Sequence, residues 1–275
     1  ILIVFGLGFL IDYQFFRIPA VASGVLFLAI LISLAGVIDF WFKSWKSLAF
    51  ILGIFLLNFI VLKFDLVTYS NNAYGLNYDM EPAEYSYASL DALSSPENVY
   101  NDRKNTLDIL NNWKQKTGLA KPKMVVLNFS GGGLGAATFA MVMMQHLDSA
   151  LTGKLMLNTS MMTGASGGMI GATYWRDLYH KQMNGKIVSM YDSVYVHNVS
   201  KDLLNITMAT LVSNDIVYPL QKFETAGQTY RKDRGYAFEK QLNENTDNAF
   251  DKPLSYYAED ERRAQIPMLI FAPTI

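Results

Sequence analysis

The feature that most constrains this chain is a long uncharged stretch near its N-terminus. Residues 18–38 contain no charged side chain and are almost entirely apolar from Val21 onward. A helix rises ~1.5 Å per residue, so a stretch of this length spans the ~30 Å hydrocarbon core of a bilayer. A buried helix of a soluble domain is the alternative, but such helices seldom stay apolar on every side over this length. We therefore predict a transmembrane helix over Val21–Ile38.

A second apolar stretch follows at Ser47–Leu62, where Lys46 and Lys63 are placed to reach the two membrane interfaces. Residues 1–11 have the composition of the end of an earlier span, and the chain begins there without a methionine. We expect an integral membrane protein in which region 1–64 contains two spans and the tail of a third, and whose sequence continues beyond both ends. Lysines and arginines are divided evenly between the two sides, so they give no orientation.

From Asp65 onward the composition is that of an ordinary globular protein. Residues 65–121 are predicted to form a linker and a helical connection, whose clearest helix covers 102–116 and ends at Gly118. The net charge of −1 gives no basic field, which argues against a nucleic-acid partner. The chain has no cysteine and shows no metal-ligand spacing among its histidines and acidic residues. We therefore predict neither a metal nor another cofactor.

After Pro122 the sequence contains two consecutive units, each made of a strand, a glycine loop and a helix. Apolar runs typical of buried strands alternate with glycine loops and helical stretches, in the order 124–129, 130–135, 136–151, 155–162, 163–168 and 169–182. This alternation is typical of a parallel sheet covered by helices. We predict an α/β domain over residues 122–275, with a mainly parallel sheet.

The pentapeptide 164–168, Gly-Ala-Ser-Gly-Gly, matches the G-x-S-x-G nucleophile elbow in the strand-to-helix context that the motif requires. In such a turn the serine hydroxyl is held out at the carboxyl end of the sheet, and small residues such as Gly164 and Gly168 keep side chains from colliding. The helix that follows points its partly positive N-terminus at the place where an oxyanion would form. A tight turn that merely contains a serine is the alternative. We predict Ser166 as a nucleophile.

The triple glycine at 131–133 supplies the second half of this site. Acyl transfer passes through a tetrahedral oxyanion, and converging peptide N–H groups stabilise its charge. We predict that Gly131, Gly132 and Gly133 form this oxyanion hole. The alternative is a dinucleotide-binding loop, which needs an acidic residue about 20 positions further on, at the end of the second strand. That strand ends in Met-Met-Thr-Gly-Ala-Ser, without an acid, so the nucleotide interpretation fails.

Together, the Ser-Gly-Gly-Gly loop at 130–133 and the Gly-Ala-Ser-Gly-Gly elbow resemble the patatin-like phospholipases. Segments 233–239 and 266–274 resemble, more weakly, sequences downstream of the elbow in that family. The resemblance implies a three-layer patatin-like fold, a membrane lipid substrate, ester hydrolysis without a cofactor, and a Ser–Asp dyad.

The sequence departs from the family at two places. The family usually carries Arg or Lys two residues after the third glycine, where this chain has Gly135. The dyad Asp stands in an Asp-Gly pair, which this chain lacks, so we expect that Asp beyond Ile275. These departures motivate an alternative, a non-catalytic membrane module on the same fold. A Ser-Asp-His triad is a poorer interpretation, because His180 and His197 follow the elbow too closely, and we assign the histidines to packing or the surface.

Overall fold

The computed structural model describes residues 10–13, 17–64, 79–82, 84–217, 221–225 and 227–272. The chain divides into two compact units, one formed by Ile1–Pro82 with Asp202–Gln241 and the other by Ala83–Lys201 with Leu242–Ile275. Residues 1–9 of the predicted early span and residues 65–78 of the predicted linker lie outside the described residues.

The first unit begins with two apolar helices, α1 (Ala20–Phe42) and α2 (Lys46–Lys63), joined by the 3-10 turn Lys43–Trp45. Taken together they form one helical segment, residues 20–63, that is long and apolar enough to cross a membrane. Helix α1 ends at Phe42 because the next residue, Lys43, departs from helical geometry with a φ of 42° and a ψ of −113°. The Lys46 ammonium then pairs with the Asp39 carboxylate across this turn at 2.6 Å. Both predicted spans therefore lie within helices.

The rest of the first unit follows Asp202. It contains α9 (Leu204–Thr210), a π-helix (Leu211–Val217), the hairpin β3 (Lys222–Thr225) and β4 (Gln228–Arg231), and the start of α10 (Arg234–Asn245). Helix α1 packs against α9. The Ala20 N–H donates to Asn205 Oδ1 at 2.8 Å, and Ser23 is completely buried. The apolar N-terminal segment is thus attached to residues much later in the sequence.

A cluster around Asp12 adds to this unit. The Asp12 carboxylate accepts hydrogen bonds from the ammonium groups of Lys232 and Lys240, each at 2.6 Å. Burial alone would raise the pKa of Asp12, but the hydrogen bonds from Lys232, Lys240 and Tyr236, together with the charge of Lys240, outweigh it and lower the pKa to about 2. Asp12 is therefore ionised at neutral pH and bridges two lysines.

The second unit contains a parallel sheet of three strands, β1 (Val125–Phe129), β2 (Thr159–Gly164) and β5 (Met268–Phe271), in the order β1-β2-β5. In the pairing, Phe129 lies opposite Gly164, which in turn lies opposite Phe271. The described protein is therefore mixed helix and sheet with a small parallel sheet, as predicted.

Helices α5 (Gly133–Ala150) and α7 (Ser166–Met183) pack against each other, and α8 (Ser193–Ser200) packs against α5. They share one hydrophobic core with the sheet. Its fully buried large side chains include Met141, Met144, Met156, Met162, Trp175 and Leu178. The two glycine loops are therefore held by strands and helices of a single core.

Two helices precede the sheet, α3 (Tyr87–Leu93) and α4 (Pro96–Thr117). The predicted helix 102–116 is part of α4. The Ser95 hydroxyl accepts from the Asn98 N–H at 3.4 Å to cap its start, and Gly118 ends it with a φ of 67°. Trp113 of α4 is buried, and its indole N–H donates to the Leu157 carbonyl at 3.2 Å.

The prediction of one strand-like run over residues 155–162 is wrong in its first half. Residues Leu155–Asn158 form a short helix, α6, and strand β2 begins only at Thr159. The buried Asp148 carboxylate accepts the Leu155 N–H at 2.8 Å and fixes the start of this helical turn. A short apolar run has the same appearance in a buried helix as in a buried strand, so the sequence pattern alone could not separate them.

Candidate active site

The two predicted glycine loops meet at one edge of the sheet. Strands β1 and β2 are parallel, with Phe129 opposite Gly164, so the loops that follow the two strands leave the sheet at the same end. The Ala165 N–H continues this pairing and donates to the Phe129 carbonyl at 3.2 Å. The structure therefore brings together the residues on which the sequence prediction depends.

Ser166 has the backbone of a nucleophile elbow. Ala165 is still extended, with φ −141° and ψ 159°, and Ser166 is the first residue of α7 with a φ of +54°. A positive φ is uncommon for a residue with a side chain and is characteristic of strained functional turns. The Ser166 residue is exposed, as an attacking group has to be.

The elbow glycines are required because the two loops approach very closely. A Cβ atom at Gly164 would lie 2.3 Å from the Phe129 carbonyl oxygen, and one at Gly168 would lie 2.1 Å from the Ser130 carbonyl oxygen. Real Cβ atoms do not approach backbone oxygens so closely, so any side chain at either position would push the loops apart. The predicted roles of Gly164 and Gly168 thus have a steric basis.

The three glycines of the loop differ in how they face the serine. Gly131 is nearest, since a Cβ atom built on it would lie 3.1 Å from Ser166 Cβ and 3.6 Å from Ser166 Oγ. Gly132 and Gly133 have φ values of +143° and +59°, and α5 begins at Gly133. A Cβ atom at Gly133 would meet nothing within 4 Å. Proximity to Ser166 therefore singles out Gly131 within the predicted oxyanion loop.

The electrostatics at this edge favour an anion. Helices α5 and α7 both begin here, and neither has a side-chain cap or an acidic residue in its first turn. The first N–H groups of a helix lack internal partners and carry the positive end of its dipole. The Gly133 carbonyl lies against Gly167, so the uncapped starts of both helices adjoin Ser166.

Two further glycines, not singled out from the sequence, hold the site together. A Cβ atom at Gly167 would lie 1.8 Å from the Gly133 carbonyl oxygen, and one at Gly171 would lie 2.1 Å from the Ala137 carbonyl oxygen. Helices α5 and α7 therefore cross at backbone contact. The sequence signal was present, because the two glycines stand four residues apart and share one face of α7.

The far half of α7 is fixed by charged side chains that the sequence analysis also missed. Asp177 is buried and accepts hydrogen bonds from Lys252 and Tyr257, and it also pairs with Lys181 at 2.9 Å. Burial would raise the pKa of Asp177, but these hydrogen bonds outweigh it and hold the pKa below its ordinary value. Burial, followed by the hydrogen bond to Asp177, raises the pKa of the Tyr257 phenol. Asp177 therefore remains a carboxylate inside the protein.

Arg176 makes a parallel set of contacts from the same turn of α7. Its guanidinium pairs with Glu261, stacks over the Tyr257 ring at 4.7 Å, and donates from Nε to the Pro267 carbonyl at 2.9 Å. Pro267 stands directly before β5, so helix α7, which begins at Ser166, is tied to the segment that leads into β5.

The three histidines occupy places that fit structural roles. His180 is buried, lies 2.9 Å from an Asp260 carboxylate oxygen, and packs edge-on against Tyr256 and Tyr257. His146 and His197 are exposed on α5 and α8. Asp260 is thus engaged with His180 in the segment that precedes β5.

The carboxyl end of β5 also reaches the site. Phe271 lies opposite Gly164, and the Ala272 N–H donates to the Gly164 carbonyl at 2.9 Å. The chain therefore passes next to the elbow as it leaves β5. The predicted dyad Asp belongs beyond residue 275, outside this sequence, and stays a prediction.

Among the described residues, no group of three or more His, Cys, Asp or Glu side chains is arranged to hold a metal ion. Compared with models of known protein families, with curated proteins and with solved structures, the chain gives no match. Its function has to be inferred from its own residues.

Proposed function

We propose that this chain is a membrane-attached serine hydrolase that cleaves carboxylic esters of lipids, on a patatin-like three-layer fold. One observation carries the proposal. Ser166 stands at a strained φ of +54°, against Gly131, at the uncapped start of α7 and next to the uncapped start of α5. The combination of an exposed serine at a strained φ with two adjoining helix N-termini supports a nucleophile placed beside an oxyanion site.

In the proposed reaction, the Ser166 oxygen attacks the ester carbonyl carbon, and the carbonyl oxygen becomes an oxyanion held by amides of the 131–133 loop. The oxyanion collapses, the C–O bond to the alcohol breaks, and the alcohol leaves with the proton taken from Ser166. Water then attacks the acyl-enzyme and releases the carboxylic acid. The predicted Asp beyond residue 275 would accept and return the proton, without a histidine.

Membrane attachment is supported by the surface of the apolar segment. Only 6% of its most apolar 18-residue stretch is buried, whereas a core helix of a soluble protein is mostly buried. Large apolar side chains such as Ile32 and Phe55 are exposed along α1 and α2. An uncharged exposed surface of this extent fits a bilayer, which would keep the site beside an insoluble substrate.

Replacement of the nucleophile tests the proposal. In the complete protein, Ser166→Ala should abolish hydrolysis of a lipid ester and covalent labelling by a fluorophosphonate probe, because both need the serine oxygen. Ser149→Ala, at an exposed serine near the other end of α5, should keep both activities. Labelling of Ser166→Ala at the wild-type rate would remove Ser166 from this role. A wild-type protein that neither labels nor hydrolyses would favour the non-catalytic membrane module.

A further inference from the structure

A groove leads away from the nucleophile along helix α5. It has a volume of about 370 Å³ and lies between α5 and strand β1. This volume falls within the ~300–1,000 Å³ typical of small-molecule sites. The reaction proposed above does not by itself require such a groove.

One end of the groove adjoins the serine, although Ser166 is not itself one of its lining residues. Ser130, Gly131 and Gly168 line its near end, and Gly131 is the residue whose added Cβ would lie 3.6 Å from Ser166 Oγ. From there Ala136, Phe139, Met143 and Leu147 line one face of α5. Ala136 and Leu147 are eleven residues apart, so this face extends ~16 Å along the helix.

The lining selects a particular chemistry. None of the described residues that line the groove is charged, and apart from Asn128 and Ser130 all are apolar or glycine. Phe139 is 65% exposed, Met143 36% and Leu147 40%, so three large apolar side chains in a row face solvent along its length. A lipid headgroup would find no charged partner there, whereas a hydrocarbon chain would cover this surface.

We propose that this groove binds the acyl chain of the ester, with its carbonyl at Ser166 and its tail running along α5 toward Leu147. This proposal rests on the proposed function and adds a specificity determinant to it. Met143 and Leu147 at the far end set the chain length that fits, and the flexible methionine side chain adapts to chains of different shape.

A pair of esters that differ only in chain length tests the proposal. The complete protein and its Met143→Trp and Leu147→Trp variants are assayed for kcat/KM on p-nitrophenyl laurate and p-nitrophenyl butyrate. Blocking the far end should lower the laurate-to-butyrate ratio ~10-fold or more, since about two methylenes would lose their apolar contacts. His146→Trp is the matched control, because His146 is exposed on α5 but does not line the groove. Its ratio should equal that of the wild type.

The outcomes separate the groove from the reaction. An active wild type whose ratio is the same in all three variants would overturn the acyl groove and leave the hydrolase standing. If the wild type cleaves neither ester, the proposed function fails, and the groove is then tested by binding of a fluorescent fatty acid. Weaker binding in Met143→Trp than in His146→Trp would support the groove. Equal binding, or none in the wild type, would overturn it.

Discussion

The φ angle of +54° at Ser166 is energetically unfavourable by ~1–2 kcal/mol for a residue with a side chain. The surrounding contacts maintain it. On one side the Ala165 N–H is held by the Phe129 carbonyl, and on the other α7 begins at once and packs on α5 through Gly167 and Gly171. These contacts adjoin the serine on both sides and restrict its backbone.

The glycine next to the serine gives the sharpest prediction at this scale. Gly131→Ala should lower kcat ~100-fold or more, because its methyl group would lie 3.1 Å from Ser166 Cβ and displace the oxygen from its position by the amides. Thermal unfolding should change little, since the loop is exposed at the edge of the sheet. Gly135→Ala is the control, because a Cβ there meets nothing within 4 Å and its kcat should be unchanged. Near-wild-type kcat in Gly131→Ala would mean that the loop only closes a turn.

The sequence predicted Ser166 and the glycine loop but not the differences among the three glycines. The motif shows that side chains are absent at 131–133, and it cannot show that Gly131 faces the serine while Gly133 faces open space. At Gly133 an alanine would be disfavoured by its φ of +59° rather than by contact. That distinction depends on how β1 and β2 are registered, which no local pattern encodes.

Among the elements, helix α7 has two halves with different roles. Its N-terminal turn carries Ser166, the proposed nucleophile, and makes backbone contacts, whereas Arg176, Asp177 and His180 fasten its other half to residues 252–261. These ionic partners lie 75 to 85 residues apart in the sequence. Charged residues in a helical sequence usually form its solvent-exposed face, so the sequence could not predict that these charged side chains are buried.

Asp177 provides a test of this attachment. Asp177→Asn should lower the free energy of unfolding at pH 7 by roughly 3 kcal/mol, since it removes one partner of a buried ion pair. The folded-state pKa of Asp177 lies below its ordinary value of 3.8, so its stabilisation is complete above that pH and is lost as the pH falls. The stability difference between wild type and variant, measured by urea unfolding, should therefore shrink below about pH 4.

Glu259 supplies the matched control for Asp177. It also pairs with two arginines, Arg262 and Arg263, but all three side chains are more than half exposed. Exposed ion pairs contribute little, so Glu259→Gln should unfold at nearly the same urea concentration as the wild type. A constant difference between Asp177→Asn and wild type from pH 7 to pH 3 would contradict an ionised Asp177 as the stabilising group.

At the scale of the whole molecule, the sequence predicted an apolar region, a connection and a catalytic domain in consecutive order. The structure instead groups the apolar helices with Asp202–Gln241, a segment predicted to belong to the α/β domain. The contacts responsible are the packing of α1 against α9 and hydrogen bonds such as Ala20 to Asn205 and Asp12 to Lys232 and Lys240. Hydropathy locates apolar segments well, but it does not encode pairings between residues so distant in sequence.

A lysine introduced into α1 should have opposite effects if the helix lies in a bilayer and if it lies in water. Ile32 lies near the middle of α1 and is 73% exposed. In a bilayer, Ile32→Lys would place a charge near the hydrocarbon centre at a cost of ~3 kcal/mol, so the fraction of protein kept in membranes after alkaline carbonate washing should fall. In water the same change would be neutral or would improve solubility.

Phe40→Lys, at an equally exposed site near the end of α1, is the control, because its ammonium could reach the interface and retention should match the wild type. Wild-type protein released by carbonate, or Ile32→Lys retained as fully as Phe40→Lys, would show that the segment does not span a bilayer.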